Sequence, residues 1–481
     1  MRWQAVGCRI IAFLVLVGLG PQTSHFFSIV PLAVAQNNNN NGGSNNNGGS
    51  NNDGGNTAGL AGVAVDAQGV VRQQVFPDPG GRLRLERTAA ARATLSPDLL
   101  APSNLRKVSL NRLERAILAR DGVPTEEMRS LAGLQRVRYV FCYPDSKDIV
   151  IAGPAEGWVA DPSGRMVGIN SGRPIVQLQD LIVALRAFPP SGEATPLIGC
   201  SIDPTQEGLQ AMQGFLRSVG SYATPAQTQY IVSGLQNSLG LQTVSVNGVS
   251  PSTRFAQILV EADYRMKLIG IGLERPPVRM VSFVERADPA QVSRNALFRW
   301  FFTPDYQCIR VTEDGLGAEL VGDGVKLVGE DEMVTGEGDR RIASRGNRAS
   351  QVFVSTFTKK YPELADRSPV YAELRNLVDL AVAAAYIQHE DFYAKTGWSM
   401  EFFGDEKSFA VEVYNAPKQV ASTVAAVWKG NRLMTPIGGG VHIDAMQALD
   451  SQNLLKDDGG DVARLHGETS TQLANDQWWW D

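Results

Sequence analysis

The side chains from which an active site could be assembled are few. Beyond the first 35 residues the chain has three cysteines, Cys142, Cys200 and Cys308, and three histidines, His389, His442 and His466. His389, Glu390 and Asp391 are adjacent, but consecutive helical residues point about 100° apart, so the three cannot converge on one ion unaided. A histidine at a helix C-terminus is already favoured by the helix dipole, which makes capping the simpler reading. His442 and Asp444 are two apart and could chelate, yet one imidazole and one carboxylate are too few ligands for a metal. The cysteines show no paired C-x-x-C spacing, which argues against zinc. Val140-Phe141-Cys142-Tyr143 and Leu197-Ile198-Gly199-Cys200 are apolar, whereas a reactive thiolate needs an accessible, electropositive setting.

Other chemistries need local motifs that are absent. There is no G-x-S-x-G elbow, and Gly168 to Gly172 is out of register for one. No phosphate loop occurs, Gly270-Ile271-Gly272 lacks the third glycine of a dinucleotide turn, and there is no H-E-x-x-H. No catalytic, cofactor-binding or metal residue is therefore assigned and no cofactor is expected. A nucleophile built from residues distant in sequence stays open.

The elements that would position any site read as mixed α/β, with short-stranded mixed sheets and amphipathic helices. Val63 to Val71 around Asp66-Ala67-Gln68-Gly69 predicts a hairpin. Ser109 and Thr125 read as N-caps. Strands are expected over 137–143, 149–152, 158–159 and 166–169, joined at Pro144-Asp145 and Asp161 to Gly164, then a helix over 178–186. A strand over 197–202 follows, with helices over 205–219 and 225–239 and a strand over 243–246. The long helix from Ser252 carries an apolar stripe from Phe255 to Ile269, and its Glu261/Arg265 and Asp263/Lys267 pairs read as a salt-bridged outer face. A sheet segment over 297–328 precedes helices over 349–364 and 370–393. Strands near 409–413 and 425–428 come next, and Gly438 to Gly440 reads as the lead-in to a short helix.

At a fixed offset of 160, Phe141, Pro144, Asp145, Ile149, Gly157 and Gly164 fall on Phe301, Pro304, Asp305, Ile309, Gly317 and Gly324. Either 137–168 and 297–328 are a duplicated module, or hairpins of similar length place Gly and Pro alike. The expected division is a first domain over 63–190, a second over 191–345, a third over 346–450, and an acidic, disordered tail over 451–481. From Asp450 onward seven acids face only Lys456 and Arg464.

The N-terminus reads as an export signal. Arg2 and Arg9 precede an apolar run from Ile10 to Leu19, and Ala33-Val34-Ala35 fits the cleavage rule, placing the cut between Ala35 and Gln36. The alternative is an uncleaved anchor, against which Pro21, Gln22, Ser24 and His25 interrupt the run. Residues 36–62 are an Asn/Gly/Ser linker with a reach of roughly 25–30 Å. Leu374 to Ile387, the most apolar helical stretch, is too short to span a bilayer and carries Asp379. A composition of 43% hydrophobic and 20% charged residues is that of an ordinary globular chain. The net charge of −5 with scattered Lys and Arg argues against nucleic acid. Export makes a Cys142–Cys200 disulfide possible, closing a loop of roughly 60 residues worth about 4 kcal/mol; buried thiols are the alternative.

The segments YVFCYPDSKDIVIAGPAEGW (139–158), GCSIDPTQEGL (199–209) and LVEADYRMKLIGIGLE (259–274) resemble a family of exported planctomycete proteins known only as a domain of unknown function. The likeness spans roughly residues 100 to 310 and implies an envelope or secreted protein, with no activity or site residue to carry over. The functional expectation is a non-enzymatic envelope or extracellular binding or structural protein with a protein partner. Alternatives are an exported peptidase or glycosidase using two carboxylates, and thiol chemistry.

Overall fold

The computed structural model describes residues 60–481 except 220–223, 289–295, 335–339, 343–346, 425–426, 430–431, 435–437, 470–472 and 475–476. The expected leader, its cut at Ala35/Gln36 and most of the linker lie outside the described residues.

Two sheets carry the fold. The larger has nine strands in the order Leu60–Val65, Val70–Phe76, Gln419–Ala421, Leu241–Asn247, Ile198–Asp203, Gly439–Ile443, Ala296–Pro304, Val325–Val334, Arg340–Ile342. The smaller has seven, in the order Leu455–Lys456, Ile309–Val311, Gly317–Leu320, Tyr139–Tyr143, Asp148–Ala155, Ser103–Ser109, Trp479–Trp480. Both sheets are mixed: Gly439–Ile443 runs parallel to Ala296–Pro304 but antiparallel to Ile198–Asp203. The mixed α/β class expected from the sequence is what forms.

Helices fill the interior. Arg254–Gly270 packs on the middle strands of the larger sheet, and Arg348–Arg367 covers Val325–Val334 beside it. Pro369–His389 lies against both helices and against Leu178–Ala187. It reaches the smaller sheet through Tyr386, whose hydroxyl donates to Gly315 O at 3.0 Å. Nearly every residue from Val370 to Ile387 is buried, the polar Glu373, Asn376 and Asp379 among them. No helix among the described residues is long and apolar enough to cross a membrane.

Local signals place most elements. Ser109 Oγ accepts from Arg112 N and Thr125 Oγ1 from Met128 N, each at 3.3 Å, so both expected caps form. Several readings give way to tertiary contacts. Residues 56–481 form one compact unit, because each sheet takes strands from both sides of the boundaries expected near 190 and 345. The segments 137–168 and 297–328 are not copies. Tyr139–Tyr143 pairs with the next strand, whereas Ala296–Pro304 skips two strands to pair with Val325–Val334, and the hairpin nested between them joins the other sheet. Gly438 to Gly440 leads into a strand rather than a helix. A Cβ on Gly439, whose φ is +144°, would sit 2.0 Å from Trp300 O, so the glycines let three backbones close together.

The expected disordered tail is ordered as well. Asp461–Glu468 is helical, and Trp479–Trp480 adds a strand to Ser103–Ser109. Trp478 and Trp480 are buried, and both Asp481 carboxylate oxygens accept from the fully buried Arg106 at 2.9 Å. Acidic composition suggested solvation; three tryptophans and one buried guanidinium override it. Deleting residues 478–481 exposes apolar area and leaves Arg106 without its carboxylate, a change expected to cost about 3–5 kcal/mol. Urea denaturation of the shortened chain measures this, and an unchanged midpoint would show the tail to be a passive appendage.

Candidate functional site: a polar cleft over a buried ion chain

The charged residues of Arg254–Gly270 do not face solvent. Glu261 is 4% exposed, Asp263 0%, Arg265 7% and Lys267 7%, because the helix is enclosed by the sheet and two other helices. The outer salt-bridged face expected from i,i+4 spacing is an interior one. Lys267 Nζ spends its donors on Asp263 Oδ2 at 2.9 Å, Ile202 O at 3.0 Å and Gly439 O at 3.1 Å, tying the helix to the larger sheet.

Glu261 and Arg265 belong to a longer chain of alternating charge. Arg254, at the first turn, donates to Asp180 and to Glu373 Oε1. Glu373 Oε2 accepts from Arg165 Nε at 2.9 Å, and Arg165 Nη2 reaches Glu261 Oε2 at 2.5 Å. Glu261 Oε1 lies 3.5 Å from Arg265 Nη1, and Arg265 Nη2 donates to Glu274 Oε1 at 2.7 Å. The order Asp180–Arg254–Glu373–Arg165–Glu261–Arg265–Glu274 joins three helices, the hairpin containing Arg165 and the loop after Gly270. Four carboxylates face three guanidiniums in it. Burial pushes Asp180 up to about 6, against the pull of Arg254, and raises Glu261 as well.

At Arg254 this chain opens onto a cleft of about 370 Å³ whose lining includes Arg129, Ser130, Gln177, Gln179, Arg254 and Tyr414. Three helix starts frame it: Glu126–Arg129 capped by Thr125, Leu178–Ala187, and Arg254–Gly270, where Thr253 Oγ1 accepts from Ala256 N at 3.2 Å. Arg129 stands between Glu126 and Glu412, at 3.6 and 3.8 Å. Tyr414, pushed up to about 12 by burial, keeps its proton and donates to Glu412 Oε2 at 2.7 Å. Ser130 Oγ and Gln179 Oε1 are buried here without a hydrogen-bond partner. A second cleft of about 330 Å³, near Arg186, Thr195 and Ser250, shares Ala410, Val411 and Glu412 with the first.

The residues singled out from sequence lie elsewhere and apart. Cys142 sits in the smaller sheet and Cys200 in the larger; both, with Cys308, are free and buried, so the Cys142–Cys200 disulfide does not form in this structure. Burial pushes Cys142 up to about 11, Cys308 up to about 12 and Cys200 well upward, leaving no thiolate near neutral pH. His389 Nδ1 rests 3.1 Å from Glu390 Oε1 at the helix end. His442 stacks on Phe301 at 4.3 Å between ring centres, while Asp444 accepts from Gln447 N at 3.1 Å, so the two do not converge. His466 stacks on Tyr143 and contacts Cys142 O at 2.9 Å. Among the described residues no group of three or more His, Cys, Asp or Glu side chains could hold a metal. Asp180, Arg165, Arg254 and Glu373 were not legible as a group. One signal was present, acids set among the apolar residues of two helices, Asp180 in one and Glu373 and Asp379 in the other.

Residues 200–283 match a family model described as a protein of unknown function, DUF1598. The match is narrower than the span of roughly 100–310 expected from the resemblance, and it holds Arg254, Glu261, Arg265 and Glu274 but not Asp180, Arg165 or Glu373. No curated protein and no solved structure matches the chain.

Arg254→Met strands the buried Asp180 carboxylate and takes one of two arginines from Glu373, and is expected to cost about 3–5 kcal/mol, part of it recovered by adding Asp180→Asn. Additive losses in that double-mutant cycle would disprove the coupling. Asp180 also makes stability depend on pH. Its folded value of about 6 exceeds the ordinary 3.8, so the folded state holds more protons between about pH 4 and 6 and the group's contribution falls as pH rises through that window. Asp180→Asn should therefore gain on the parent protein between pH 4 and 7 in urea midpoints; a pH-independent difference would refute this.

Proposed function

We propose that this chain is an exported, non-enzymatic binding protein that holds a polar ligand in the cleft over Arg254. Export rests on Arg2, Arg9, the Ile10–Leu19 run and Ala33-Val34-Ala35, with the Asn/Gly/Ser linker as a tether. The binding reading is supported chiefly by the polar groups that the chain itself leaves unused. Ser130 Oγ and Gln179 Oε1 are buried without partners in a cleft that also holds Arg129, Arg254 and Tyr414. Buried polar atoms are normally paired, and a ligand is what pairs them in a binding site. The acids behind the cleft are each tied to an arginine, so they fix the Arg254 guanidinium in place.

One observation favours an exported hydrolase as the second reading. Asp180, raised to about 6, keeps Oδ1 without a partner beside Arg254, in the range where a carboxyl can act as an acid. A calorimetric screen of the mature protein against amino acids, short peptides and oligosaccharides distinguishes the two. Binding should weaken at least about tenfold in Arg129→Ala/Glu412→Ala, about 1.4 kcal/mol or more, with the unfolding temperature unmoved. The ligand should be recovered intact by mass spectrometry, and protein from the exported fraction should begin at Gln36. Cleaved ligand would replace the binding reading with the hydrolase; an intact leader in the membrane fraction would overturn export.

A further inference from the structure

The segment between the two clefts has a property the cleft volumes alone do not convey. Phe409 to Val413 has the composition of a strand, and the sequence predicts one there. Yet the chain runs from Ala410 to Lys418 without turn or helix and joins a sheet only at Gln419. Among the described residues, no backbone N–H or C=O of Ala410, Val411, Glu412 or Val413 has a hydrogen-bond partner. Ala410, Glu412 and Val413 are exposed and Val411 half-buried, so an added strand can reach these groups without breaking an intramolecular bond.

The ends of this segment are held firmly. Arg186 donates from Nε to Phe403 O at 2.7 Å and from Nη2 to Phe409 O at 2.6 Å. Tyr414 N donates to Ser252 O at 2.8 Å, and Asn415 Nδ2 to Val65 O at 3.1 Å. Residues 410–413 are thus stretched between fixed points with a cleft on each side. Val411 packs on the core, while Val413 is 82% exposed. The rim acids are open: the Glu126 side chain is 80% exposed and Glu412 58%.

We infer that Ala410–Val413 is a docking edge for an extended peptide carrying a basic side chain, which adds to it as a β-strand in the larger cleft. This deepens the binding reading above and rests on it. Main-chain pairing supplies affinity in this mode, and flanking pockets read alternate side chains. Four residues of strand span about 13 Å. A lysine or arginine opposite Glu412 and Glu126 meets two acids that share one arginine, Arg129, and peptide groups can satisfy Ser130 Oγ and Gln179 Oε1.

The test uses the mature protein and an array of hexapeptides alternating Lys or Thr with Val, Ile, Phe or Tyr. The best binder is then resynthesised with N-methyl groups on alternate amides, in each of the two registers. Successive N–H groups of a strand point to opposite edges. One methylated register should therefore lose at least tenfold in affinity and the other little. For the same reason only one of Ala410→Pro and Val411→Pro should weaken binding tenfold, since no intramolecular bond depends on either N–H; unchanged unfolding temperatures check the fold. Glu412→Lys should weaken it as well. A peptide that binds in the cleft but ignores methylation and both prolines overturns strand addition and leaves the cleft reading standing. Array-wide failure to bind overturns the peptide proposal; if the small-ligand screen also fails, the cleft reading falls with it.

Discussion

The interaction on which the rest of this structure depends is the alternating chain of charges from Asp180 to Glu274. Its seven side chains arise from three helices, a hairpin and a loop, and removing any one takes a partner from its neighbours in low dielectric. Such a chain costs desolvation, and a well-packed apolar substitute could be as stable. What it adds is position. Each arginine is gripped by two carboxylates, so the helix Arg254–Gly270 is fixed in rotation and in height against Leu178–Ala187 and Pro369–His389. The surplus acid has a physical consequence in the elevated Asp180.

The same device recurs on a smaller scale. Arg136 donates to Asp379 Oδ2 at 2.6 Å, joining the smaller sheet's approach to the helix Pro369–His389. Arg112 and Ser109 share Asp148, and Glu114 accepts from Trp398 Nε1 and from the backbone of Phe402 and Phe403. Arg106 holds the C-terminal residues. Between two sheets whose strands come from all along the sequence, long polar side chains serve as struts where apolar packing alone would tolerate sliding. The cleft is a product of this rigidity: three helix starts meet at Arg254 and the segment 409–414 crosses in front.

Much of the fold was legible because it rests on local chemistry. Ser109 and Thr125 cap helices as their types demand, the hairpin around Asp66 closes, and the stripe from Phe255 to Ile269 packs on a sheet. What failed did so for one shared reason, that partners distant in sequence outweigh local signals. Glu261 and Asp263 pair with Arg265 and Lys267 at i,i+4 as expected yet lie inside, since only Arg165 and the larger sheet make that burial tolerable. Gly439 reads as part of the lead-in to a helix until Trp300 is found against its α-carbon. Phe409–Val413 reads as a strand but lacks a partner, so it stays an unpaired segment at the cleft.

By itself the sequence determined the α/β class, the caps, most helices, the absence of any familiar catalytic motif and the features that support export, because each depends on residues within a few positions of one another. Tertiary structure alone decided that residues 56–481 are one unit, that the acidic tail is a strand and a helix, and that the cysteines are separate buried thiols. It also decided the candidate site. Asp180, Arg254 and Glu373 are separated by 74 and 119 residues, and a site made of charges that distant has no spacing to read. Only the packing that removes them from water forces them to find one another.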